Sequence, residues 1–176
     1  MARKLVVIGA GMASGRLLEQ LFEKAPGAYE VTLFGAEPRG NYNRIMLSPV
    51  LSGEKTYEEI VTHDAAWYAE HDVTCRFGEA ITGIDRAGKV VMSEGGETPY
   101  DKLVIATGSS PFIIPVPGHD LPGVVTYRDL DDTNAMIEAA IGNDAGQVVT
   151  LNRDEEGARA SGDDELVVGR HPALAH

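Results

Sequence analysis

Within the stretch Lys4–Ile8, Leu5–Ile8 form an unbroken apolar run, and Gly9 and Gly11 interrupt it before a helical period begins. A short run without alternation, ended by glycine, is the pattern of a strand buried on both faces. Leu17, Leu18, Leu21 and Phe22 then recur at helical spacing, while Arg16, Glu19, Gln20, Glu23 and Lys24 take the other face. Ala25-Pro-Gly-Ala28 ends this helix, because proline cannot continue it and glycine suits its exit. Glu30–Phe34 reads as a second strand. Strand, helix and strand within about thirty residues predict a βαβ unit with a right-handed crossover.

Beyond it the pattern is shorter-ranged. Residues 40–53 have no clean period but are dense in groups able to hold a polar ligand: Asn41, Asn43, Arg44 and Ser48. Thr62 or Asp64 is placed to cap a short helix through Trp67, Tyr68 and Glu70, with the two rings read as core. Val73–Phe77 alternates as a strand, Ala80–Asp85 and Lys89–Ser93 read as further strands, and Glu94–Glu97 as a hairpin turn. These predict a small antiparallel sheet laid over the parallel one. Leu103–Ala106 is another buried strand, Pro111–Gly118 an extended connector, and Tyr127–Ala140 a helix. Residues 152–176 are charged, small and aperiodic apart from Leu166–Val168, and are expected to be disordered. No internal repeat is visible.

Length suits one domain, or one domain and part of another: 176 residues can bury a single sizeable core. A net charge of -12 argues against nucleic acid as a partner, since binding there rests on cationic contacts to phosphate, and gives no sign of an acidic membrane surface as target. Cys75 is the only cysteine, so neither an internal disulfide nor a dithiol pair can form, and the expected compartment is the cytoplasm. Its place in a strand, away from a helix N-terminus, reads as structural. No apolar segment is long enough for a signal h-region or a membrane span. The five histidines lack metal-ligand spacing, and no Gly-x-Ser-x-Gly elbow is present. Neither a metal site nor a catalytic side chain is expected, so any reaction must come from a cofactor.

The candidate chemistry sits at strand ends. In Gly9-Ala-Gly-Met-Ala-Ser14, Gly9 allows a tight turn and Gly11 allows close approach of a pyrophosphate, whose charge meets free N–H groups and the positive end of a helix dipole. Ser14 stands where glycine or alanine is usual; it is small enough for close packing, with Gly15 beside it to share that task. Glu37 follows the second strand, where a carboxylate accepts from ribose hydroxyls, although the neighbouring Arg39 would instead meet a 2′-phosphate. Arg44 suits either a pyrophosphate or a surface ion pair. Thr107 and Gly108 follow the strand Leu103–Ala106 at its carboxyl end, where open α/β sheets bind ligands.

Together, Gly9–Ser14, Glu37 and Leu103-Val-Ile-Ala-Thr-Gly108 resemble the FAD-binding domain of the pyridine nucleotide-disulfide oxidoreductase family. Within it, Phe34–Lys55 is most similar to the start of the large subunit of NAD(P)H-dependent nitrite reductases. The resemblance implies an α/β fold: a Rossmann-like FAD-binding domain over 1–145 with a parallel sheet, helices and a small antiparallel layer, followed by a divergent acidic tail over 146–176. It implies FAD as cofactor, held by Gly9, Ala10, Gly11, Met12, Ala13 and Ser14 at the pyrophosphate, by Glu37, Pro38 and Arg39 at the adenosine ribose, and by Arg44 and Ser48 toward pyrophosphate and flavin. Ala80 would meet the adenine through its backbone, and Ala106, Thr107 and Gly108 would close over the cofactor. In the family a nicotinamide nucleotide gives hydride to the flavin, and nitrite reductase relatives pass electrons to iron–sulfur and sirohaem centres. Where the family starts a second glycine loop for NAD(P)H, this chain has Gly146-Gln-Val-Val-Thr-Leu-Asn-Arg-Asp-Glu-Glu156, whose acids would repel a pyrophosphate. The expectation is an FAD domain that needs a partner chain for its NAD(P)H site and electron acceptor, or else a non-catalytic nucleotide-binding module or shortened relic.

Overall fold

The computed structural model describes residues 2–141; the acidic tail expected over 146–176 lies outside them. Two compact units divide after Ser109. In the first, β1 (Arg3–Ile8), α1 (Met12–Lys24), β2 (Tyr29–Gly35), α2 (Leu47–Leu51), α3 (Ala65–Glu70), β3 (Thr74–Phe77), β4 (Ile81–Asp85), β5 (Val90–Ser93), β6 (Gly96–Pro99) and β7 (Lys102–Ile105) follow along the chain. Four strands form a parallel sheet in the order β3-β2-β1-β7, and three form an antiparallel sheet in the order β4-β5-β6.

Alternation along the central strand explains why both faces of the parallel sheet are covered. Leu5 and Val7 join Leu18 of α1, Val31, Leu33 and Tyr68 of α3 in one cluster. Val6 and Ile8 join Phe34 and Val91 of β5 in another. Helices therefore cover one face and the antiparallel sheet the other, and each aliphatic side chain so buried contributes about 1.5–3 kcal/mol relative to exposure. Registers Ile8↔Phe34 and Ile8↔Ile105 bring the carboxyl ends of β2, β1 and β7 level at one edge.

Two local differences from the sequence-based expectation have physical reasons, and one open alternative is resolved. The hairpin turn contracts to Glu94-Gly95, because Ser93 pairs with Gly96 and a further strand, β6, begins there. Gly96-Glu-Thr-Pro99 lacks an apolar alternation, and Pro99 is tolerated because this strand is an edge. Segment 40–53 folds into a 3₁₀ turn at Arg44–Met46 and the single-turn α2, which buries Leu47 and Val50; neither is long enough to show a period. Asp64 caps α3 by accepting from the Trp67 amide at 2.8 Å, whereas the Thr62 hydroxyl donates to the Asn41 carbonyl at 3.0 Å. Cys75 lies in β3 opposite Leu33, and burial pushes its thiol up to about 11.

In the second unit, α4 (Leu130–Ile141) begins later than the expected Tyr127, because the Asp129 carboxylate accepts from the Asp132 amide at 3.0 Å and caps the helix there. Before it, Phe112, Ile113, Ile114 and Val116 of the proline-rich connector are exposed. Among the described residues no helix is long and apolar enough to cross a membrane, and no group of histidine, cysteine or carboxylate side chains is placed to hold a metal ion.

Candidate cofactor-binding site

The exits of four parallel strands are stitched together by backbone. The Gly9 amide donates to Phe34 O at 2.7 Å and the Ala106 amide to Ile8 O at 2.7 Å. Farther along the edge, the Glu79 amide donates to Gly35 O at 2.9 Å and the Gly78 amide to Glu37 O at 2.8 Å. Gly9 has φ +106°, and a Cβ built on it would stand 2.3 Å from Ala106 O and 2.8 Å from Thr107 N. Only glycine lets the first loop pass so close to the exit of β7. A Cβ on Gly35 would meet the Ala10 Cβ at 3.0 Å, so the loop also lies against the exit of β2.

Helix α1 starts at this edge with its first-turn amides open to an approaching group. Gly11 is its N-cap, no side chain caps it, and its first turn holds no acidic residue. A Cβ on Gly11 would meet nothing within 4 Å. An uncapped helix start with an open approach and aligned dipole suits an anion, and a pyrophosphate such as FAD carries fits it. Met12 and Ala13 face solvent, whereas Ser14 is completely buried and its hydroxyl donates to Gly11 O at 2.8 Å. Gly15 provides the close packing, for a Cβ there would stand 3.0 Å from His63 Cε1 and 3.4 Å from Asn41 Cγ.

Beyond β2, Glu37 keeps its carboxylate at the same edge. The Tyr42 hydroxyl donates to its Oε2 at 2.8 Å, Arg44 pairs with its Oε1, and Arg39 Nη1 lies 3.7 Å from Oε2. Both guanidiniums thus lie beside the Glu37 carboxylate. Arg44 also lies over the Tyr42 ring at 5.3 Å, and Tyr42, 1% exposed, meets Tyr57 edge-on at 5.9 Å. Burial raises the Tyr57 phenol above its ordinary value. Of the two roles left open for Arg44, the ion pair is the one formed here, and it is half-buried.

The structure thus gathers Gly9, Ala10, Gly11, Ser14, Glu37, Arg39, Arg44, Ala106 and Thr107 around one sheet edge. Pro38 packs by Gly78, Ala80 is exposed after β3, Ser48 is exposed in α2, and Gly108 follows Thr107 with φ +74°. Two of the polar candidates are engaged within the protein: Asn43 caps its own 3₁₀ turn at the surface by accepting from Ile45 N at 3.1 Å, and Asn41 is completely buried. Tyr42 and Tyr68 carry hydrogen-bonding roles that an aromatic residue type does not announce; the one signal for Tyr42 is its position two residues before Arg44. A hollow of about 630 Å³ lies apart, at the amino-terminal edge of β2, lined by Phe22, Tyr29 and Trp67 with Glu23, Glu70 and Asp72, and its carboxylates suit no phosphate.

The profile of the pyridine nucleotide-disulphide oxidoreductase family matches residues 3–155. Nitrite reductase [NAD(P)H] of Bacillus subtilis (strain 168) is 41% identical over 139 residues, which are 78% of this chain and 17% of the relative. The nitrite reductase (NADH) large subunit of Escherichia coli (strain K12) is 38% identical over 148 residues, 83% of this chain and 17% of that one. The crystal structure of a NAD-dependent persulfide reductase from A. fulgidus superposes with a TM-score of 0.71 at 28% identity, covering 80% of this chain and 28% of its own. The chain therefore spans less than a fifth of the length of these two nitrite reductases. With its Rossmann-like sheet and uncapped glycine loop, the chain belongs to the pyridine nucleotide-disulphide oxidoreductase family, as a nitrite reductase-like FAD-binding domain.

Proposed function

We propose that this chain is the FAD-binding part of an NAD(P)H-dependent oxidoreductase of the nitrite reductase large-subunit type, which accepts hydride on its flavin and passes electrons onward. The observation that carries the reading is the uncapped start of α1, open at Gly11, beside the carboxylate and two guanidiniums at the end of β2. In this reading the amides of Gly11, Met12 and Ala13 meet the pyrophosphate, Ser14 sets the loop from beneath, and Glu37 takes the adenosine ribose. Arg44 exchanges its partner Glu37 for phosphate, with Arg39 remaining beside the carboxylate. Ser48 lies toward the flavin, Ala80 meets the adenine, and Ala106, Thr107 and Gly108 close the β7 side. FAD, once bound, supplies the redox chemistry, and the protein supplies position and electrostatics.

The domain extends to residue 145 and works in the cytoplasm, a reading supported by its single cysteine. A partner chain or further domain brings the NAD(P)H site and electron acceptor, as the lengths and subunit names of the relatives suggest. The test is to load the chain with FAD and supply in trans the remainder of the Bacillus subtilis nitrite reductase. Faster bleaching of the flavin by NADH or NADPH than with either part alone is the expected result. FAD that stays oxidised with every such partner would overturn the redox role and leave a non-catalytic nucleotide-binding module.

A further inference from the structure

Beneath the glycine loop lies a buried polar hub centred on Asn41, a residue outside the proposed cofactor contacts. Asn41 is completely buried and every polar group it carries is engaged. Its Nδ2 donates to Gly11 O at 2.6 Å and to Ser14 Oγ at 3.1 Å. Its Oδ1 accepts from the Tyr68 hydroxyl at 2.6 Å, and its backbone N–H donates to that same oxygen at 2.9 Å. Its carbonyl accepts from the amide and the hydroxyl of Thr62, both at 3.0 Å. Tyr68 is itself 5% exposed and packed edge-on against Trp67 and Phe77.

A side-chain amide has two faces that differ only in which end donates. Tyr68 removes the ambiguity: its oxygen takes the Asn41 backbone N–H, so its own proton goes to Oδ1, and Nδ2 must face Gly11. The peptide is planar, and in a trans unit the carbonyl of one residue and the N–H of the next point in opposite directions, and the described chain holds no cis bond. Fixing Gly11 O toward Asn41 therefore turns the Met12 N–H away from the protein, out of the start of α1. Three donors, Asn41 Nδ2, Ser14 Oγ at 2.8 Å and the Gly15 amide at 3.1 Å, converge on that one carbonyl and polarise its peptide, which strengthens the opposite N–H as a donor.

We propose that Asn41 is a positioning residue, locked in one orientation by Tyr68, that holds the Gly11–Met12 peptide so that the anion cradle at α1 is formed before any ligand arrives. The inference rests on the cofactor reading above and adds to it a device outside the glycine loop. It also explains why a fully satisfied polar network is buried beside an apolar core, where an unpaired member would be destabilising.

The experiment compares the full chain with Tyr68→Phe and Asn41→Leu by calorimetric titration with ADP, which carries a pyrophosphate, and with adenosine, which does not. Tyr68→Phe keeps the ring packing, so it serves if Asn41→Leu fails to fold. Both variants should lose about tenfold in ADP affinity, the loss expected when one buried hydrogen bond is broken, while adenosine affinity stays unchanged. Equal weakening toward both ligands would mark a merely structural role and overturn the proposal, as would unchanged ADP affinity. A second readout needs no ligand: the carbonyl carbon resonance of Gly11 should move and amide exchange at Gly15 should accelerate in Tyr68→Phe. Should the parent chain bind neither ADP nor FAD, the cofactor reading falls, and these two resonances still decide whether Asn41 holds the loop; no change in them would overturn it.

Discussion

Gly9 and Gly11 stand two residues apart in one loop, yet substituting alanine at each should do opposite things. At Gly9 the backbone has φ +106°, and the added methyl would lie 2.3 Å from Ala106 O, 2.6 Å from Ala106 C and 2.8 Å from Thr107 N. All three are backbone atoms of the adjoining β7 exit, so no side chain can swing aside. Strain at a sparsely populated φ costs about 1–3 kcal/mol, and forced overpacking about as much again, for a total of about 2–6 kcal/mol. That is a large part of the roughly 5–15 kcal/mol that holds a domain folded. At Gly11 the backbone is extended, φ −97° and ψ −173°, and the methyl would meet nothing within 4 Å. Its cost is only the N-cap preference for glycine over alanine, about 1 kcal/mol at most. The methyl would, however, occupy the approach to the helix start, and FAD affinity should fall about tenfold or more, equivalent to about 1.4 kcal/mol. Urea unfolding followed by Trp67, the only tryptophan, measures the first effect, and titration with FAD measures the second. The reasoning is refuted if Gly9→Ala unfolds within 1 kcal/mol of the parent by that assay, or if Gly11→Ala proves the less stable of the two.

Other expectations concern single side chains. Glu37→Gln removes the charge that Arg44 and Arg39 share; the pair is partly exposed, so stability should change by less than about 1 kcal/mol while FAD affinity drops about tenfold, read by the same two titrations. Burial pushes the Tyr68 phenol up to about 12 from its ordinary 10.0, so the folded chain keeps a proton that the unfolded chain releases. This contribution is complete below pH 10 and lost as pH rises toward 12; unfolding midpoints across that window should fall less steeply in Tyr68→Phe than in the parent. Burial likewise holds the Cys75 thiol at about 11, so alkylation of the native chain at neutral pH should be far slower than in urea, as mass spectrometry would show.

Periodicity carried the parts of the fold built from long or doubly buried segments. Leu5–Ile8 and Val31–Phe34 read as strands because both faces of the parallel sheet are covered, and Leu17–Phe22 as a helix because its apolar stripe meets that sheet. It was silent where one turn suffices: α2 buries only Leu47 and Val50, and β6 is an edge of glycine, glutamate, threonine and proline. Site residues were accessible where backbone geometry dictates composition, as at Gly9, or where a charge ends a strand, as at Glu37. Asn41 is buried rather than offered to a ligand, which an asparagine among polar neighbours gives no sign of; the approach of Tyr68, 27 residues on, turns it inward. An ion pair is one of the two roles the sequence leaves open for Arg44, but Glu37 as its partner is not legible, since the 3₁₀ turn that brings Arg44 back has no sequence period.

The most direct test of the central claim, that the edge formed by β1, β2 and β7 binds FAD, is the visible spectrum of the purified full chain before and after titration with FAD. Saturable binding with one FAD per chain, abolished or strongly weakened in Gly11→Ala while that variant remains folded, is the expected result. A folded parent chain that carries no flavin and takes up none when FAD is added would contradict it.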